Sequence, residues 1–219
     1  MLITGFGPFP GVPDNPSAWL AEALAERGAR SSGTELHARV VPTEWQAAMF
    51  MPDLYAVLQP ALMIHFGLDR RARALRIERF AHNRAAARRD ARGALPPSVE
   101  IRPGGPDRLA TTLPVEELVT HLETSGLPAM ISRSAGGYLC NFLYYHSLEW
   151  ARVSGCRALF VHIPPLSDDG PFTEVALLRG AEEILRFTLD ATQNQAGDGG
   201  ATSRGLAPTE VAGLSAKGA

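Results

Sequence analysis

Short, unbroken apolar runs alternate with helical patterns from the first residue to about residue 192, and this rhythm constrains the fold more than any other property of the chain. Apolar stretches at residues 1–4, 36–41, 61–66, 129–132 and 158–163 read as strands; within 36–41, Leu36, Ala38 and Val40 alternate. Gly67 is expected to end the third of them. Between the strands lie helical patterns. Asn15 or Ser17 can cap the first, which runs through residues 18–27. A second is led by Thr43 and interrupted near Pro52, whose nitrogen has no hydrogen to donate. Others follow at 114–124 and 138–152, and the longest at 172–192. Strands that are apolar throughout are buried on both faces. The expected fold is therefore a three-layer α/β/α sandwich with a mostly parallel twisted sheet.

A length of 219 residues suits one domain, expected over residues 1–192. From residue 193 Gly, Ala, Ser and Thr dominate and periodicity ends, so 193–219 is expected to be a disordered tail. The formal net charge of −2 gives no general reason to expect a nucleic acid or a membrane surface as partner. No apolar run reaches the roughly 18 residues that cross a bilayer, and no secretory leader is read at the start. Two cysteines, Cys140 and Cys156, exclude a disulfide framework, and a cytoplasmic location is expected.

Open α/β sheets place their sites beyond the carboxyl ends of the strands, which directs attention to three side chains. Cys140 follows the small-residue turn Ser134-Ala135-Gly136-Gly137 and falls in the first turn of a helix. The helix dipole and unpaired backbone amides there favour a thiolate, and the same amides can hold an oxyanion. A buried packing thiol is the alternative, and Cys156 is read as such a thiol. His162 interrupts an apolar run just before Ile163-Pro164-Pro165, at a strand end where an imidazole can take and return a proton; a core histidine is the alternative. Glu78, between Arg76 and Arg79, can orient an imidazole or belong to surface ion pairs.

Nine arginines lie between Arg70 and Arg92, opposed only by Glu78 and Asp90. Their aromatic interleaving is limited to Phe80, so they read as a solvated face or subunit interface ahead of a nucleic-acid patch. The six histidines show no metal-ligand spacing and no phosphate-binding glycine motif follows a strand, so no metal and no cofactor are expected.

Taken together, three blocks in order resemble pyroglutamyl peptidase I, the pyrrolidone-carboxylate peptidase family of cysteine peptidases. The stretch from Thr4 through Gly5-Phe6-Gly7-Pro8-Phe9-Pro10-Gly11 to Asn15-Pro16-Ser17 resembles the family's T-G-F-x-P-F-G-G…N-P-S opening. Ser134 to Asn141 resembles its S/T-A-G-x-x-x-C-N turn, and Phe160-Val161-His162-Ile163-Pro164 its F-[IV]-H-[IV]-P strand. A weaker block from Ile77 to Asn83 resembles the E-R-x-A-x-N segment of the catalytic acid.

The resemblance implies Cys140 as nucleophile, His162 as general base and acid, and Glu78 as orienting carboxylate. It also implies Phe6 and Phe9 as walls for a flat, uncharged lactam ring, with Arg88 near the reacting groups. N-terminally pyroglutamylated peptides would be the substrates, and a homo-oligomer, by resemblance a tetramer, the assembly. One stretch departs from the pattern: the family's G-Q-A-G-G-R is here Gly67-Leu68-Asp69-Arg70-Arg71. Leu68 cannot hydrogen-bond a lactam. A thiol amidohydrolase acting on a different cyclic or N-blocked amide therefore stands as an alternative, with a catalytically silent anion- or RNA-binding homologue behind it.

Overall fold

The computed structural model describes residues 1–32, 35–168 and 170–198. The chain begins with β1 (Leu2–Phe6), α1 (Pro16–Ser32) and β2 (His37–Val41), followed by the short helices α2 (Trp45–Met49) and α3 (Met51–Leu58). The expected interruption is present: Pro52 sits in the first turn of α3, where its missing N–H costs nothing. Next come β3 (Leu62–Leu68), β4 (Leu75–Glu78), β5 (Phe80–His82), β6 (Arg108–Ala110), α4 (Val115–Thr124) and β7 (Ala129–Ser132). The described chain closes with α5 (Leu139–Ser154), β8 (Arg157–Ile163) and α6 (Glu174–Asp198). The last helix runs past Thr192, into the stretch expected to be tail. The rest of that expected tail, 199–219, lies outside the described residues.

Six strands form one sheet in the order β2-β1-β3-β8-β4-β7. The first four are mutually parallel, β4 runs antiparallel to β8, and β7 is parallel to β4. β5 and β6 make a separate antiparallel pair. Alternation along the strands divides the core. Ile3, Ile64, Phe66, Leu159 and Val161 pack with α1, α4 and α6, whereas Leu2, Met63, Ala158 and Phe160 pack with α2, α3 and α5. The sheet is thus covered on both faces, as expected of a three-layer α/β fold.

This parity also positions polar groups. His162 follows Ala158 and Phe160 on the α5 side of β8. In the antiparallel register Arg76 lies opposite His162, and Glu78 opposite Phe160, so both β4 side chains share that side.

Two glycines allow close approaches that the layers require. Gly67 does not end β3: it and Leu68 pair with His162 and Ile163. A Cβ on Gly67 would stand 2.8 Å from the Phe160 ring and 2.9 Å from the Cys140 sulfur, so the bare backbone makes room for both. At Gly5 a Cβ would lie 1.8 Å from the Ser17 carbonyl oxygen, a backbone atom that cannot rotate away. Gly5→Ala is therefore expected to push α1 off β1 and to lower stability by about 3 kcal/mol or more. A urea midpoint equal to that of the parent protein would remove this account of the contact.

Candidate active site

The opening motif acts as a local brace. Asn15 is the residue before α1 and its Oδ1 accepts hydrogen bonds from the Ser17 amide (3.2 Å) and hydroxyl (2.9 Å), so of the two candidate caps Asn15 caps the helix. Ser17 Oγ accepts the Phe6 amide at 3.0 Å. The Gly7 carbonyl accepts from Asn15 Nδ2 (3.1 Å) and Thr43 Oγ1 (3.0 Å). These bonds fix the loop after β1, and with it Phe6 and Phe9, against the start of α1.

Cys140 is the second residue of α5. The chain reaches it through Gly136, whose φ of +82° is a left-handed conformation that favours glycine. Tyr138 precedes the helix in extended conformation and offers no side-chain cap. The amides of Leu139 and Cys140 lie in the first turn, where no intrahelical carbonyl is available, and they donate to no acceptor among the described residues. Unpaired donors thus accompany the sulfur, at the positive end of the helix. The next residue, the fully buried Asn141, locks the turn in place. Its Oδ1 accepts the His82 amide at 2.8 Å, and its Nδ2 donates to the carbonyls of His82 (2.8 Å) and Arg84 (3.0 Å).

Glu78 is fully buried, and its Oε1 lies 2.8 Å from His162 Nδ1. Burial disfavours a charged imidazole at His162. The charge and hydrogen bond of the Cys140 sulfur, together with those of the Glu78 carboxylate, outweigh it and push the imidazole up to about 10. A buried carboxylate from β4 thus bonds an imidazole from β8, and that imidazole shares one cavity lining with a sulfur from α5. Cys156, the other thiol, is buried and pushed up by that burial, the condition of an inert packing sulfur.

Phe6, Phe9, Arg88, Cys140 and His162 line one cavity of about 560 Å³; Glu78 stands behind His162, outside the lining. All six residues singled out from sequence thus converge, five on the cavity and one as support. The arginine run does not form a single solvated face. Arg70, Arg71, Arg76 and Arg88 line the cavity, while Arg79 pairs with Glu116 and Arg92 with Glu44. The run is split because the turn after β3, Arg76 of β4 and Arg88 of the loop after β5 reach the cavity, whereas Arg79, between β4 and β5, and Arg92 turn to other partners.

Sequence reasoning missed the residue that holds that loop. Arg88 stacks over the Tyr138 ring, 4.5 Å from its centroid, and its carbonyl accepts Trp45 Nε1 at 3.1 Å. Two residues on, buried Asp90 accepts the amides of Trp45 (2.9 Å), Arg92 (2.9 Å) and Ala94 (2.8 Å), capping α2 from a distance. Burial opposes its charge, but the three amides and Arg92 hold the carboxyl below the usual aspartate range. A depressed carboxyl stabilises the fold above its unfolded value of 3.8 and loses that contribution as pH falls through the lower folded value. Asp90→Ala is therefore expected to cost about 2 kcal/mol at pH 7, and less at a pH low enough to protonate the carboxyl, in denaturant midpoints. An equal loss at both pH values would mean that the charge does not matter. The only sequence signal was the Asp90-to-Gly93 spacing of a turn.

Among the described residues no group of three His, Cys, Asp or Glu could hold a metal ion. No helix among them is long and apolar enough to cross a membrane.

Comparison with known proteins bears on the family and the fold. The sequence profile of the family described as pyroglutamyl peptidase matches residues 1–170. A pyrrolidone-carboxylate peptidase of Gloeobacter violaceus is 37% identical over 206 residues, covering 89% of this chain and 98% of its own. Human pyroglutamyl-peptidase 1 is 30% identical over 200 residues, covering 90% and 93%. Among solved structures, Bacillus amyloliquefaciens pyroglutamyl peptidase I superposes with a TM-score of 0.77 at 27% identity, covering 88% of this chain and 96% of that one. The Thermus thermophilus pyrrolidone carboxyl peptidase gives 0.75 at 30% identity, covering 85% and 98%. With its family profile matched over most of its length and its fold shared with these enzymes, the chain belongs to the pyroglutamyl peptidase family.

Proposed function

We propose that this protein is a cysteine peptidase that removes an N-terminal pyroglutamyl residue from peptides, with Cys140, His162 and Glu78 as its reacting group. The observation that carries the reading is a buried carboxylate bonded to an imidazole that shares with the Cys140 sulfur the lining of a cavity with two phenylalanines. Cys140 adds through sulfur to the pyroglutamyl carbonyl, and its thiol proton resides on His162. The carbonyl oxygen, now anionic, is held by the free amides at the start of α5. His162 returns the proton to the departing peptide nitrogen as the C–N bond breaks, leaving a thioester. Water attacks the thioester, giving its proton to the imidazole, and the sulfur departs and is reprotonated. Glu78 fixes the imidazole orientation throughout, as the carboxylate of a triad does. Phe6 and Phe9 wall the neutral lactam, which has no charged terminus to grip.

The test is release of amine from a panel of amides: pyroglutamyl, prolyl, N-acetyl-alanyl and dihydroorotyl. The pyroglutamyl amide is expected to be cleaved with the highest kcat/KM. Leu68, at the cavity where a hydrogen-bonding side chain could meet the lactam, favours a second reading, a thiol amidohydrolase for another ring. A different member of the panel leading by tenfold or so would select that reading.

A further inference from the structure

We infer that the turn at residues 69–71 selects substrates carrying a carboxylate beyond the scissile amide. The inference rests on the peptidase reading and extends it to substrate class. The turn is rigid. The Asp69 amide donates to the Ile163 carbonyl at 3.0 Å, and its carbonyl accepts the Ala72 amide at 3.0 Å. Asp69 Oδ1 accepts the Arg71 amide at 3.0 Å, and Oδ2 accepts Arg76 Nη1 at 2.8 Å. Arg76 also donates to Ser132 Oγ at 2.8 Å, so the one carboxylate of the lining is already matched to one guanidinium. Arg88 lies on the Tyr138 ring.

Arg70 and Arg71 are left. Both side chains are exposed and line the cavity, and neither guanidinium has a hydrogen-bonded or ion-paired acceptor among the described residues. Arg70 Nη1 reaches to within 4.0 Å of where a Cβ on Gly11 would be, so it extends from the end of β3 to the loop that carries Phe9. Four arginines against one carboxylate give the cavity a positive field that the low-dielectric walls concentrate. A pyroglutamyl ring is neutral and supplies no counter-charge. The complement must therefore come from the departing part of the substrate. It is either the side chain of an acidic second residue or the terminal carboxylate of a dipeptide, both of which a guanidinium binds in the same way.

The experiment measures kcat/KM of the full chain at low ionic strength on four substrates. They are pyroglutamyl-alanine amide, pyroglutamyl-glutamate amide, pyroglutamyl-lysine amide, and pyroglutamyl-alanine with a free carboxyl terminus. At least one carboxylate substrate is expected to exceed the neutral amide by roughly five- to tenfold, mainly through KM, with the lysine amide poorest. The glutamate amide leading identifies the side-chain source, and the free dipeptide leading identifies the terminal one. Raising salt to about 0.5 M should shrink the ratio toward one, a measurement that needs no variant. The double substitution Arg70→Gln and Arg71→Gln should also collapse the ratio, whereas Arg73→Gln, beside the turn but outside the lining, should keep it. Equal turnover of neutral and acidic substrates, or a ratio indifferent to salt, overturns the inference while leaving the peptidase reading intact. Cleavage of none of the four overturns both.

Discussion

Replacing Cys140 by alanine or serine is expected to lower amine release from a pyroglutamyl amide by about 10⁴-fold or more, because the two-step route through a thioester disappears. The serine variant is as inactive as the alanine one for a physical reason. The surroundings favour a protonated ring at His162, and a serine hydroxyl, far less acidic than a thiol, does not part with its proton before attack. A second readout follows from the same contact and does not depend on turnover. The sulfur's charge and hydrogen bond contribute to the raised His162 value of about 10, so removing the sulfur should let burial pull the ring back down. NMR titration of the His162 ring should show that fall in Cys140→Ala, with the Cys156→Ala ring unchanged. Either Cys140 variant retaining full activity would falsify the nucleophile assignment, and an unmoved ring would separate the two side chains electrostatically.

The sequence made the sulfur and the imidazole legible because each sits where one rule applies. His162 ends a run of apolar residues on a strand, and Cys140 follows a glycine turn into a helix. The strand β4 was not legible as a strand: four residues long, it carries Arg76 and Glu78 on its α5-facing side, so its polarity resembles a surface segment. Those charges are tolerated because they answer Asp69, nearby in the chain, and His162 and Ser132, which are distant in sequence. For the same reason β5 and β6, three residues each, left no periodicity to read. Gly67 looked like a stop because glycine usually punctuates strands. Here it continues one, since the missing side chain is space taken by Cys140 and Phe160. The arginine run misled in the opposite way: proximity in sequence suggested one surface, and the intervening strands sent its members to different places.

Glu78→Gln keeps the shape of the side chain and removes its charge, and is expected to lower kcat/KM by about 10²- to 10⁴-fold. The fully buried site gives water little chance to replace the carboxylate against His162 Nδ1. An amide there can also present its NH₂ group to the ring, favouring the wrong tautomer. The pH dependence distinguishes this role from a merely structural one. Glu78 raises the His162 value through a hydrogen bond and through charge, so its loss lowers that value. The starting state of the reaction needs the protonated ring facing the sulfur. The alkaline limb of the kcat/KM profile, where His162 gives up its proton, should therefore move to lower pH in the variant. Arg76 remains held by Asp69 and Ser132, so β4 keeps its other ties and the urea midpoint should change little. A variant within threefold of parent activity, with its alkaline limb in place, would show that the carboxylate packs behind the imidazole without directing it.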